Sequence, residues 1–283
     1  MKNITLLDGA VGTSLWELAE KAGIEKVPVW KYNMERPEMV TELHRRFIGA
    51  GAQMILANTF GANGPAVRRS SAYDPDEVVR AGVKLAKDAA KDSGVPVALS
   101  VGPLMQLMEP YGDLEEDEVA EIYRQAFEAG MSEGADLIMI QTFIDLGMMS
   151  VAAKEAKKFG VPVMCTLSFE KRGKTMMGNS VQDIIDELEP LGIDGIGMNC
   201  SLGPDLAINV IREFSEKTKL PLVFKPNAGK PILASDGSTV TDYDAKTFVR
   251  EVAPALEFVD YVGGCCGCNW EYIRELAEKI KEN

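Results

Sequence analysis

At 283 residues, 46% apolar and 26% charged, the chain can bury a substantial core and is long enough for two average domains or one α/β barrel of roughly 250 residues. A net charge of −13 without any basic block argues against nucleic acid or an anionic membrane as a partner. The single histidine, His44, all but excludes Ser-His-Asp chemistry, His-rich metal sites and helical HExxH sites.

From the N-terminus, "MKNITLLDGA" has no signal-peptide core, and no later apolar run is long enough to span a bilayer. A cytoplasmic location is expected, where thiols stay reduced. The first strand-like run, "ITLLDG", leads into a helical stretch. Next, "TELHRRFIGAG" is read as an amphipathic helix with His44 on its surface. The strand-like "QMILANTF" follows, then the helical "DPDEVVRAGVKLAKDAAKDSG", whose acidic start and glycine stop match cap preferences. "PVALSVG" precedes the helical "DEVAEIYRQAFEAGMSEG". The remaining strand-like runs are "ADLIMIQTF", "VPVMCTLSF", "GIGMNCS", "PLVFKPNAG" and "VDYVGGCCG", with Cys165 read as a small core residue. The last segment, "NWEYIRELAEKIKEN", mixes charges as a solvated outer helix does.

Eight near-continuous apolar runs alternating with about eight helices fit parallel strands covered on both faces. The expected fold is a single (β/α)8 TIM barrel over residues 1–283, with no internal linker. A doubly wound open sheet is the runner-up, but the first turn, "LDGAVGT", lacks GxGxxG spacing.

In a barrel the active site forms at the C-terminal ends of the strands. Those ends carry Asp8-Gly9, Asn58-Thr59, Gly102-Pro103, Gln141-Thr142, Ser168, Asn199-Cys200, Pro226-Asn227 and Gly263 to Cys266. Cys200 ends the sixth strand while Cys265 and Cys266 end the eighth, so their sulfurs can converge beside the seventh. Adjacent strand side chains point to opposite faces, and the flanking Gly263, Gly264 and Gly267 permit a sharp turn that brings both sulfurs to one side. Three thiolates with a free fourth position describe a catalytic zinc site. Two other readings of the loop are a phosphate cradle and a redox pair. Cys268 is a spare thiol, an alternative ligand or the start of the last helix.

On "LDGAVGT" (7–13), "ANTFGAN" (57–63), "GMNCSLGP" (197–204), "KPNAGKP" (225–231) and "GGCCG" (263–267), the sequence resembles the homocysteine S-methyltransferase family. That family includes the homocysteine-binding barrels of cobalamin-dependent methionine synthases and the betaine–homocysteine methyltransferases. The resemblance implies one zinc ion per chain held by Cys200, Cys265 and Cys266, and a thiol, homocysteine, activated on it and methylated. It places Asp8 and Gly9 near the amino-acid end of the substrate, with Asn58, Gln141, Thr142 and Asn199 shaping the site.

Two positions depart from the family pattern. Its fourth strand usually ends in Glu-Thr, the glutamate holding the substrate's ammonium; this chain has Gln141 there, and an amide forgoes the charge-assisted bond. Either Asp145 or another acid compensates, or the acceptor is a different thiol. Cys268 stands where methionine synthases carry threonine. No corrinoid-binding DxHxxG signature is present, and no folate or corrinoid domain is expected in the chain. The methyl donor is therefore expected from outside: a separate corrinoid protein, free methylcobalamin, or a small sulfonium or ammonium compound. Two further possibilities are a Schiff-base lyase using Lys225, whose plainer reading is a rim salt bridge, and a non-catalytic subunit of a corrinoid partner.

Overall fold

The computed structural model describes residues 3–233 and 239–282. Each of the eight apolar runs contains one strand: β1 (Thr5–Leu6), β2 (Ile55–Leu56), β3 (Val97–Val101), β4 (Leu137–Phe143), β5 (Val163–Leu167), β6 (Gly195–Asn199), β7 (Leu222–Lys225) and β8 (Tyr261–Val262). They form one parallel sheet in the order β1-β8-β7-β6-β5-β4-β3-β2. A parallel bridge between Leu7 and Met54 joins the two ends, so the sheet curls into a (β/α)8 barrel. Among the described residues, nine longer helices cover it, α1 (Val11–Lys21), α2 (Pro37–Gly49), α3 (Pro75–Ala90), α4 (Glu116–Ser132), α5 (Leu146–Lys157), α6 (Val181–Leu188), α7 (Pro204–Lys217), α8 (Ala245–Val252) and α9 (Trp270–Glu282), with two shorter ones between them. None of the described helices is long and apolar enough to cross a membrane.

Local sequence explains the elements. In α3, the Asp74 carboxylate caps the first turn by accepting from the N–H groups of Asp76 and Glu77, and Pro75 takes the first helical position. Its Val79, Val83, Ala86 and Ala90 then return every three or four residues to the buried face. The strands sort their side chains by parity. Leu137, Met139, Ala98, Met164 and Val223 form an inner cluster, while their neighbours Ile138, Ile140, Leu99, Cys165 and Phe224 pack under the helices. Continued toward the C-terminal ends, the inner parity delivers Ser100, Gln141, Thr166, Asn199 and Lys225 to the barrel mouth. A two-stranded antiparallel hairpin, Pro231–Leu233 with Thr239–Thr241, is inserted after β7 and was not expected from the sequence.

His44 is a correction. It is fully buried rather than on the surface, because Val40, Leu43, His44 and Phe47 make one helical stripe at 3.6-residue spacing. Neither ring nitrogen has a hydrogen-bond partner, and burial pushes its pKa down to about 4. An unfolded histidine takes a proton near pH 6.5 while the buried one does not, so acidification through this window favours the unfolded chain. Between pH 7 and pH 5 this one group removes about 2 kcal/mol of stability. His44→Leu should match the parent or exceed it at pH 7 and lose about 2 kcal/mol less on going to pH 5, as read by urea unfolding. Parallel pH profiles for the two proteins would contradict the buried neutral imidazole.

Candidate active site

The three cysteines meet at the mouth. The sulfurs of Cys200, Cys265 and Cys266 all lie within 4.8 Å of one another, with Cys200 Sγ 3.6 Å from Cys266 Sγ. The backbone achieves this in two ways. Cys200 would point away from the barrel by parity, but it adopts a left-handed conformation (φ 61°), as does Ser201 (φ 59°). Such a residue costs on the order of 1–3 kcal/mol and persists only where its surroundings hold it. Here the Cys200 N–H donates to Lys225 O at 3.0 Å, and Ser201 Oγ donates to Phe169 O at 2.8 Å. On the other side, Gly267 supplies a turn at φ 84°, as expected, whereas Gly264 serves close approach: a Cβ there would lie 2.3 Å from Cys268 Cβ.

The donor set fits a soft cation. Hydrogen bonding to Cys200 and burial push the Cys265 thiol up to about 12, opposed by the nearby Lys225 ammonium. Without a cation the cluster therefore stays as thiols at neutral pH, and a bound metal must displace their protons. Three sulfurs and an open side match the catalytic zinc pattern and suit zinc better than magnesium or calcium. Asn199 braces the centre: its Nδ2 donates to Thr142 Oγ1 at 2.6 Å and approaches Cys265 Sγ at 3.8 Å, while its Oδ1 accepts from Thr142 N and Thr166 Oγ1, both at 2.8 Å. Thr142 takes a left-handed conformation (φ 65°) to meet it.

The sulfurs open into a cavity of about 290 Å³ lined also by Gly9, Asn58, Gln141, Thr142, Asn199 and Lys225. Its apolar wall includes Trp16, Val29 and Phe60. Asn58 spends both amide hydrogens on Val29 O and Asn33 Oδ1, each at 2.8 Å. Gln141 Nε2 donates to Ser100 Oγ at 2.7 Å.

Other expected residues lie elsewhere. Asp8 is fully buried behind the wall; its Oδ1 accepts from Lys225 Nζ and its Oδ2 from Leu56 N, both at 2.7 Å. Burial pushes its carboxyl upward, and Lys225 and the Leu56 N–H pull it back. Lys225 is thus the salt-bridge lysine, its amine committed to Asp8 rather than free for a carbonyl. Asp145 does not line the cavity, since its carboxylate caps α5 by accepting from Met148 N at 3.2 Å. Cys268 is buried, its Sγ 3.9 Å from Pro226 O, and stands outside the three-sulfur group. Ser100, a polar residue of the lining, is not among the strand-end candidates. It was reachable from strand parity. Asn227, on the loop after β7, has a buried Oδ1 with no partner and does not line the cavity.

A family profile described as "Homocysteine S-methyltransferase" matches residues 5–280. The methionine synthases of Mycobacterium leprae (strain TN) and Mycobacterium tuberculosis are each 30% identical to this chain over 96% of its length. The chain spans about a quarter (24%) of those relatives. The oxidised form of the Escherichia coli homocysteine methyltransferase MmuM superposes with a TM-score of 0.80 at 22% identity, covering 98% of this chain and 96% of that one; the metallated form gives 0.77 at 20%. At those identities the structural likeness speaks to the fold.

Proposed function

Because the chain belongs to the homocysteine S-methyltransferase family, we propose that it is a zinc-dependent thiol S-methyltransferase that takes its methyl group from an external donor. The observation that carries this reading is the convergence of the Cys200, Cys265 and Cys266 sulfurs on an open cavity. Cys200, Cys265 and Cys266 would hold a zinc ion there, whose Lewis acidity would allow an acceptor thiol to be deprotonated at neutral pH without a histidine base. A reducing compartment such as the cytoplasm favours such a centre, since it keeps the three thiols free of disulfide.

The chain's own groups position the reactants. Asn199 fixes the orientation of Cys265, and Trp16, Val29 and Phe60 shield the acceptor from water. The acceptor thiol releases its proton to solvent, and its sulfur forms the S–CH3 bond as the bond from donor to methyl breaks. Both electrons of that broken bond leave with the donor, as Co(I) from a methylcorrinoid or as a neutral sulfide or amine from a small onium compound. The methionine synthase relatives favour a corrinoid donor, on a separate protein or free. Homocysteine, which names the family, is the reference acceptor.

The test incubates zinc-loaded protein with methylcobalamin and a panel of thiols and measures methylated product by mass. Methylated thiol is expected together with cob(I)alamin, at least a hundredfold above the protein-free rate, as positioning and charge stabilisation allow. A zinc-replete protein that forms no product with any thiol, from methylcobalamin or from sulfonium and ammonium donors, would instead make it a non-catalytic partner subunit.

A further inference from the structure

The cavity beside the cysteines has a lopsided charge inventory. Among the described residues, no Asp or Glu side chain lines it, and its one charged lining side chain is the cation Lys225. The acids adjacent in sequence to its lining, or at the end of β4, are already engaged. Asp8 holds Lys225 and the Leu56 N–H, Glu17 beside Trp16 accepts from Lys21 Nζ and Asn269 Nδ2, and Asp145 caps α5. The remaining polar groups are neutral and largely satisfied by one another. Asn199 makes four contacts within the wall, and Asn58 donates both hydrogens to Val29 O and Asn33 Oδ1. That leaves the Gln141 carboxamide, half-buried and anchored through one hydrogen to Ser100 Oγ.

An ammonium group brought from water into such a cavity needs an anion to offset its lost hydration, and a carboxamide offers an acceptor oxygen but no countercharge. An uncharged or anionic chain end meets no such deficit, since the second Gln141 N–H can donate to it. We propose that the acceptor is a small thiol without an ammonium group, of the mercaptoalkanoate class, and that Gln141 is the residue that sets this preference. The proposal rests on the thiol-activating reading of the cysteine centre and departs only from its reference acceptor.

The discriminating pair is homocysteine and 4-mercaptobutanoate, which share chain length, thiol and carboxylate and differ only in the ammonium. Cobalt(II) substituted at the cysteine centre gives a sulfur-to-metal charge-transfer spectrum that reports thiol coordination without any turnover. The parent protein should bind 4-mercaptobutanoate at least about tenfold more tightly than homocysteine, the factor set by one unpaired charge at a partly solvated wall. In Gln141→Glu the order should reverse, homocysteine gaining about tenfold or more. Homocysteine binding as tightly as 4-mercaptobutanoate to the parent, for instance through backbone carbonyls, would overturn the proposal while leaving the thiol-activating site intact. A cobalt spectrum that responds to neither thiol would sink the thiol-activating reading itself, and the proposal with it. The comparison in the parent needs no variant, so it stands even if Gln141→Glu fails to fold.

Discussion

Cys265→Ser, purified alongside the parent in zinc-supplemented medium, retains less than a tenth of the parent's zinc per chain and loses at least a hundredfold in thiol methylation. The argument is one of ligand count. Three sulfurs within 4.8 Å of one another can hold a soft dication and leave one side for substrate. Replacing one with a hydroxyl leaves two soft ligands and a weak hard one, at a place where the backbone was shaped for three. Changing even an outer partner of a metal ligand costs on the order of 10–100-fold in affinity, so losing a ligand should cost more. Cys200→Ser should behave alike, because the left-handed turn at Cys200 brings that sulfur into the same group. Cys268→Ala is the contrast. Its sulfur lies against Pro226 O outside the group, so zinc content should stay at the parent's level. Zinc is read by elemental analysis against protein concentration, with circular dichroism confirming the fold. Unchanged zinc in Cys200→Ser and Cys265→Ser would remove the metal centre from these residues. Because each coordinating thiol must first lose a proton, the apparent zinc affinity of the parent should tighten as pH rises from 6 to 8.

Much of this arrangement could be read from residues alone, and the limits are physical. Parallel strands buried on both faces must be continuous apolar runs, so all eight were visible, and their order along the chain implied the barrel. Strand ends then pointed to the mouth. The inserted hairpin, Pro231–Leu233 with Thr239–Thr241, has three-residue strands, too short for alternation to be told from loop. At His44 position outweighs residue type: the 40, 43, 44, 47 spacing puts the imidazole on the buried stripe although histidine is ordinarily a surface residue. The φ of 61° at Cys200 could not be foreseen, since nothing in a Cys-Ser pair announces a left-handed turn. Ser100 needed only the parity of "VALSV" continued by two residues from Ala98. Asn227 is different: its significance lies in an unsatisfied buried oxygen, a property of surroundings rather than of sequence.

The pairing of Asp8 with Lys225 spans 217 residues and leads to the second large expectation. Lys225→Met should destabilise the protein by about 3–5 kcal/mol at pH 7, the usual cost of leaving one member of a buried pair without its partner. The side chains of Lys225 and Asp8 are 4% and 0% exposed, so water cannot replace the lost ammonium. The orphaned carboxylate keeps only the Leu56 N–H and escapes its penalty by taking up a proton. Its folded-state pKa then rises further above the unfolded value, so the variant loses stability as pH rises and regains it as pH falls. The deficit measured by urea unfolding should accordingly be largest at pH 7 and shrink toward pH 4.5. Asp8→Asn combined with Lys225→Met should recover at least half of the loss, since the asparagine carries no charge and its oxygen can still accept from Leu56 N. The pair ties β7 to β1 across the intervening β8, beneath the strand ends that carry all three cysteines. The single variant should therefore also bind zinc more weakly, while the double variant recovers stability without the Lys225 charge that opposes the rise of the Cys265 thiol. Full stability in Lys225→Met at pH 7 would mean that the ion pair is not made in the folded protein.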